Sequence, residues 1–282
     1  MERAIKDLCQ LEVSALAEQA ATGIHYVLEV VDRLEPAARQ LAGSDRHHAS
    51  RILYSLAAEE AAKALILIDA LRCPADRHSD KSRTLGYFYD HVAKGIYVEA
   101  CRWRPIDFGE VVRYVELQRT EYYLDGPNGV DWIIPNDIKQ SREDDLYVGY
   151  VRYDSENADQ AESTWILPRD DNDLLYSAPS VVELVRALRD VGATTASGLS
   201  VVSDVWGTVN VEPHMRIDAL EQLNLRTLAG LEERGLLVST EVQSRATVQS
   251  RWLFPLWSID LRTKKVAKKE LREFHRRGYP DI

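Results

Sequence analysis

The chain has little of what would announce a chemistry. Its 282 residues include three cysteines, two methionines and four phenylalanines, and its formal net charge is -10. Three cysteines at unrelated spacings (Cys9, Cys73, Cys101) build neither a disulfide framework nor a zinc site, so a reduced, cytoplasmic setting is expected. The acidic balance leaves no global positive field to steer a nucleic-acid backbone. No apolar run is long enough to span a bilayer, and MERAIKDLCQLEV at the start lacks the apolar stretch of a signal peptide, so no membrane association is expected. A phosphate-cradling P-loop, a dinucleotide-binding glycine fingerprint and a Gly-x-Ser-x-Gly elbow are all missing. So are the paired Glu-x-x-His motifs of a carboxylate-bridged di-metal bundle: three residues after Glu60 stands Lys63, a cation that repels a metal. Neither a metal nor a cofactor is expected.

What is present is helical periodicity. Over residues 12 to 34 apolar side chains recur at Leu16, Ala20, Ile24, Val27, Val31 and Leu34, and Pro36 is expected to interrupt or kink the pattern. Gly43-Ser44-Asp45 reads as a turn and N-cap before a second helix from about residue 48 to 71, ended by Pro74. DRHSDKSR (76 to 83) reads as a polar loop. A third helix begins near Tyr87 and covers HVAKGIYVEA, and a fourth covers residues 108 to 123. LYVGYVRY (146 to 153) and STWILP (163 to 168) then suggest a β-hairpin. Two amphipathic helices follow, SVVELVRALRDVG and RIDALEQLNLRTLAGLEERG, the second with Gly235 as its C′ glycine, and LLVSTEV and RWLFPLWSIDL read as short strands. The division expected is a helical domain over 1–170, with the hairpin near 146–168, and a C-terminal helical extension with short strands over 171–282.

The second helix carries an oddity. SLAAEEAAKALILIDAL looks made for burial, yet it holds Glu59, Glu60 and Lys63. Glu60 falls within the apolar stripe, while Arg51, Ser55, Glu59 and Lys63 form an adjacent polar one. A buried carboxylate needs a partner or a raised pKa. Glu59 with Lys63 at i,i+4 would account for two of these residues as an ordinary helix pair. The competing reading is a polar site within the bundle, completed by His91 and Lys94, which share a face of the third helix in YDHVAKG.

An alanine-spaced opening helix, AAEEAAKA in the second helix, DHVAK in the third, then LYVGYVRY and STWILP together resemble, in that order, the AbiV family of bacterial abortive-infection proteins. The resemblance spans roughly residues 12 to 168. That family is placed in the HEPN superfamily, so with the residue pattern the expected fold is mainly α: a HEPN-like helical bundle with a β-hairpin insertion and a small α/β C-terminal extension. The resemblance implies a cytoplasmic phage-defence protein that halts growth or translation. Many relatives in the superfamily are metal-independent endoribonucleases working as homodimers, so a dimer, an RNA substrate and a phage-encoded activator are the partners it implies.

The superfamily's usual motif is an arginine, an interval of four to six residues, then a histidine on one helix. This sequence departs from it. Arg72 and His78 have the spacing, but Pro74 breaks the helical face between them. Lys268 or Lys269 with His275, in the basic stretch KKVAKKELREFHRR, offers lysine, which does not replace arginine as a phosphate fork. Two readings therefore stand. In an RNA-cleaving toxin built on the group Glu59, Glu60, Lys63, His91 and Lys94, Glu60 and Lys63 position or polarise, His91 is the general acid or base, and a cation from the same or a second subunit binds phosphate. In a non-enzymatic effector that binds a phage product or the translation apparatus, the same cluster is architectural. His47-His48 reads as a solvated helix start, and Trp252, Phe254 and Trp257 as core rather than a binding surface. Arg245 and Arg251 would suit phosphate contacts, a reading that the overall acidity weakens.

Overall fold

The computed structural model describes residues 4–123, 132–134, 136–153, 162–168, 178–237, 242–252 and 254–267. The fold is mainly helical. Its axis is a pair of long antiparallel-spaced neighbours, α1 (Val13–Ala42) and α2 (His47–Arg72), packed along their length. Ala57, Ala61, Ala64 and Ile68 of α2 are wholly buried, as are Ala20, Ile24 and Val31 of α1, and the small side chains let the two backbones run close. Around α2 sit α3 (His78–Gly86), α4 (His91–Ala100), α6 (Asp137–Leu146), α7 (Ser180–Asp190) and α8 (Ala196–Trp206). Between α4 and α6 comes α5 (Phe108–Arg119), and α9 (Ile217–Glu233) and α10 (Val242–Arg251) close the far side against α8 and α7. One continuous apolar core runs from Cys9 to Leu261, so the C-terminal helices share it with α1 and α2.

The strands are few. β1 (Thr120–Tyr123) lies between β2 (Trp132–Ile134), antiparallel, and β5 (Lys264–Ala267), parallel. β3 (Gly149–Tyr153) and β4 (Glu162–Ile166) form the expected hairpin, with Tyr150 facing Trp165 at 4.8 Å between ring centres, both exposed. Among the described residues no helix is long and apolar enough to cross a membrane.

Several expectations need correcting. Pro36 does not end α1, which continues to Ala42. A local pair and tertiary bonds on both sides hold the backbone helical: buried Glu35 accepts from Arg39 one turn on (2.5 Å) and from Arg186 (3.3 Å), Asp32 from Arg186 and Arg189, and the Ala38 carbonyl from Ser50 (2.8 Å). The turn at 43–45 is present, but Asp45 adopts φ 55° and the N-cap of α2 is Arg46, without a side-chain cap. DRHSDKSR is largely helix, not loop, because α3 buries Thr84 and Leu85 and packs on the 3-10 turn Ile5–Gln10. The fourth helix stops at Arg119; its last residues pair as β1 with a strand from the other end of the chain, an interaction stronger than local periodicity. That strand is the start of KKVAKKELREFHRR; Lys268, Lys269 and His275 lie outside the described residues. RWLFPLWSIDL is a helix end and a 3-10 turn (Leu256–Ser258) rather than a strand, with Trp252, Phe254 and Trp257 in the core. Of LLVSTEV, residues 236–237 form no strand, Val242 opens α10, and 238–241 lie outside the described residues. Gly235 follows α9 at φ 65°, with the Leu236 amide donating back to the Leu231 carbonyl at 2.9 Å, as expected of a C′ glycine.

Candidate functional site

The polar stripe of α2 faces α4 and α6, and its centre is Glu59. Asp90 caps α4 by accepting from the amides of Val92 (2.9 Å) and Ala93 (3.1 Å), which starts the helix at His91. His91 and Lys94, one turn apart, then both point at α2. α6 is fixed at its start by Asn136, whose side chain accepts from the Lys139 amide (3.2 Å) and donates to the Gln118 carbonyl at the end of α5 (2.6 Å). It can lie against α4 only because residue 95 is glycine. A Cβ there would sit 2.3 Å from Ile138 Cγ2, an impossible contact. That close approach delivers Arg142 to the stripe.

Three donors thus converge on one carboxylate. Lys94 Nζ lies 2.6 Å and His91 Nδ1 2.9 Å from Glu59 Oε2, and Arg142 Nε lies 2.9 Å from Oε1. Lys94 is 4% exposed and the Glu59 side chain 13%, whereas the His91 side chain is 48% exposed at the rim. Burial acts to raise the Glu59 carboxyl, but Lys94, His91 and Arg142 together outweigh it, and the group titrates below its ordinary range. Because an ionised carboxylate only accepts, His91 Nδ1 carries the proton in this contact. In the neutral ring that leaves Nε2 with a free lone pair. A carboxylate-oriented imidazole beside two cations can take a proton from a hydroxyl and stabilise developing negative charge.

Sequence reasoning placed Glu59, Glu60, Lys63, His91 and Lys94 in one group. The structure brings together Glu59, His91 and Lys94. Glu60 and Lys63 pair with each other instead (2.5 Å), with Lys63 Nζ also 5.1 Å from the centre of the Phe88 ring. The i,i+4 pair of Glu59 with Lys63 is not made; Glu59, rather than Glu60, is the carboxylate that needs partners. Arg142 was missed, and only the packing of Ile138 on Gly95 reveals it. The stripe continues toward the start of α2, where Arg51 Nη1 meets Asp145 Oδ1 (3.3 Å) and His48 Nε2 lies 2.7 Å from the Asp145 carbonyl oxygen. The histidine pair is therefore half-buried rather than solvated.

A second polar centre lies deeper on α2. Asp69 and Arg72 are each 1% exposed. Asp69 accepts from Arg72 Nη1 (2.9 Å), the Tyr97 hydroxyl (2.8 Å) and the Trp257 amide (3.3 Å). The guanidinium also donates to the Phe254 carbonyl (3.1 Å) and lies 3.6 Å and 4.7 Å from the ring centres of Trp206 and Trp252. Arg72 is thus enclosed, while His78 is exposed on α3. An adjoining cavity of about 20 Å³, bordered by Asp69, Tyr97 and Cys101, has room for about one water. Burial pushes the thiols of Cys73 and Cys101 up to about 12, which makes them poor nucleophiles. Arg245 and Arg251 pair with Glu232 (3.0 Å) and Glu183 (2.6 Å). Among the described residues no group of three or more His, Cys, Asp or Glu converges to hold a metal ion.

Comparison with protein-family models, with curated proteins and with solved structures finds no match for this chain. The chemistry of the Glu59 cluster therefore rests on its own geometry.

Proposed function

We propose that this chain is an abortive-infection phage-defence protein of the AbiV kind, a HEPN-like bundle acting as an RNA-cleaving toxin, with Glu59 and His91 as its working dyad. The observation that supports this reading most is the half-exposed His91 ring, held through Nδ1 by a carboxylate at 2.9 Å, with Nε2 open among the described residues. In this mechanism Nε2 takes the proton of a ribose 2′-hydroxyl, and that oxygen attacks the adjacent phosphorus. The bond from phosphorus to the 5′ oxygen breaks, water protonates the leaving oxygen, and a 2′,3′-cyclic phosphate results. Lys94 and Arg142 offset the charge that gathers on the phosphorane. The resemblance of AAEEAAKA and DHVAK to the AbiV pattern supplies the defence context, and the homodimer is part of the same proposal.

The test is incubation of the purified protein with total RNA in EDTA, alone and with extract of phage-infected cells. Cleavage by the wild type, lost in His91→Ala, reduced in Glu59→Gln and kept in Lys63→Ala, is the expected pattern. Intact RNA in both settings, with the protein folded, overturns it.

One observation favours the second reading, a non-enzymatic effector that binds a phage product or the translation apparatus. Lys94 is 4% exposed and directed at Glu59, as in a cluster that fixes helix register. Under that reading His91→Ala and Glu59→Gln alter stability and leave RNA untouched.

A further inference from the structure

A cleft of about 300 Å³ opens on the face of the bundle formed by the N-terminal 3-10 turn, α3 and the segment after Trp257, and its walls include Lys6, Arg83, Gly86, Tyr87, Asp90 and Arg262. That volume is at the lower end of small-ligand sites. Three of these six residues are cations, contributed by three separate parts of the chain.

Each cation keeps capacity for a ligand. Lys6 makes no hydrogen bond or ion pair with the described residues. Its arm passes close over Gly86, where a Cβ would lie 2.8 Å from Lys6 Cε. Arg262 is held along one edge by Asp260 (Nε to Oδ1 2.9 Å, Nη2 to Oδ2 2.6 Å), which leaves Nη1 without a partner among the described residues. Arg83 is held by Asp80 (Nη1, 2.8 Å) and the Trp257 carbonyl (Nη2, 2.9 Å), and each of these two nitrogens carries a second hydrogen. The opposing acids fix the guanidinium planes and do not fill them. Asp90, the one carboxylate on the wall, already accepts the two amides that start α4.

We propose that this cleft binds a small phosphate-bearing anion. Oriented guanidinium forks with a mobile ammonium match the oxygens of a phosphate better than a carboxylate's single edge or a halide. Because Asp80, Asp260 and Asp90 offset the three positive charges, affinity depends on the fork geometry rather than on a net field. The site is separate from the Glu59 cluster and does not depend on the RNA-cleavage reading.

The test is calorimetric titration of the full chain with inorganic phosphate, pyrophosphate and adenosine monophosphate, with sodium chloride at matched ionic strength as the control. Lys6→Gln and Arg262→Gln change exposed side chains outside the core, so both variants are expected to fold. Saturable binding of at least one phosphate compound, about tenfold weaker in each variant, is the expected result, corresponding to about 1.4 kcal/mol. Preference for the nucleotide over free phosphate would assign the ligand to the nucleotide class; the reverse would assign an inorganic or terminal phosphate. Absence of saturable binding up to millimolar concentration overturns the proposal. So does a chloride response equal to phosphate, or binding by both variants at wild-type strength.

Discussion

Glu59 and Asp69 stand on the same helix, each accepts three hydrogen bonds, and their carboxyls are displaced in opposite directions. Glu59 has two fixed cations and a histidine, with water still at the rim, and its carboxyl is lowered. Asp69 has one cation, one phenol and one amide in the interior, and burial wins over Arg72, Tyr97 and Trp257, so its carboxyl is raised. Tyr97 is raised well above its ordinary value by burial, with Asp69 beside it. The difference teaches that the count of hydrogen bonds does not decide a carboxylate's state; the number of compensating charges and the access of water do. Asp69 is built to hold segments together. Glu59 is built to stay ionised at a wet edge, where an imidazole can use it.

The sharpest way to break this contrast is Asp69→Asn. It leaves the Arg72 guanidinium buried without a counter-charge and is expected to lower stability by about 3–5 kcal/mol, read from the midpoint of urea unfolding. Replacing the pair together, Asp69→Leu with Arg72→Met, is expected to recover most of that loss. If Asp69→Asn proves milder than Glu59→Gln, the contrast is wrong.

Glu59→Gln removes the charge that Lys94 and Arg142 meet, at an expected cost of about 1.5–3 kcal/mol. Its pH dependence has a definite sign. The folded Glu59 carboxyl lies below its ordinary 4.5, so its stabilisation is present above that value and fades as pH falls below it. The difference in Tm between wild type and Glu59→Gln should therefore shrink on acidification.

Gly95→Ala tests how the third donor is delivered. Alanine is the better helix former by about 1 kcal/mol, yet its Cβ would collide with Ile138. A net loss of about 1–3 kcal/mol is expected from overpacking, with the Arg142 contact weakened; unchanged or raised stability would show that α6 packs elsewhere. The smallest effect belongs to Arg142→Ala. Its side chain is only partly covered, so about 0.2–1 kcal/mol is expected, detectable as a small shift in thermal unfolding.

Helical periodicity made α1, α2, α4, α7 and α9 legible, and aromatic and β-branched alternation did the same for the β3–β4 hairpin. α6 was not legible, since DIKQSREDDL has too few apolar residues to show a period; it is helical because Asn136 caps it and Ile138 seats on Gly95. Arg142 was hidden with it. α8 also escaped notice, though its Trp206 is fully buried. The choice between Glu59 and Glu60 depends on where α4 and α6 land around α2, and no pattern within α2 records that. β1 was read as helix because its partner, Lys264–Ala267, comes from far along the chain.

The Arg72 guanidinium works as a rivet. It sits at the end of α2, but its two aromatic lids come from α8 and from the end of α10, and its carbonyl partner from Phe254. Cutting the chain beyond the hairpin would strand a dehydrated cation in one fragment and leave two tryptophans bare in the other. The two halves should melt as one.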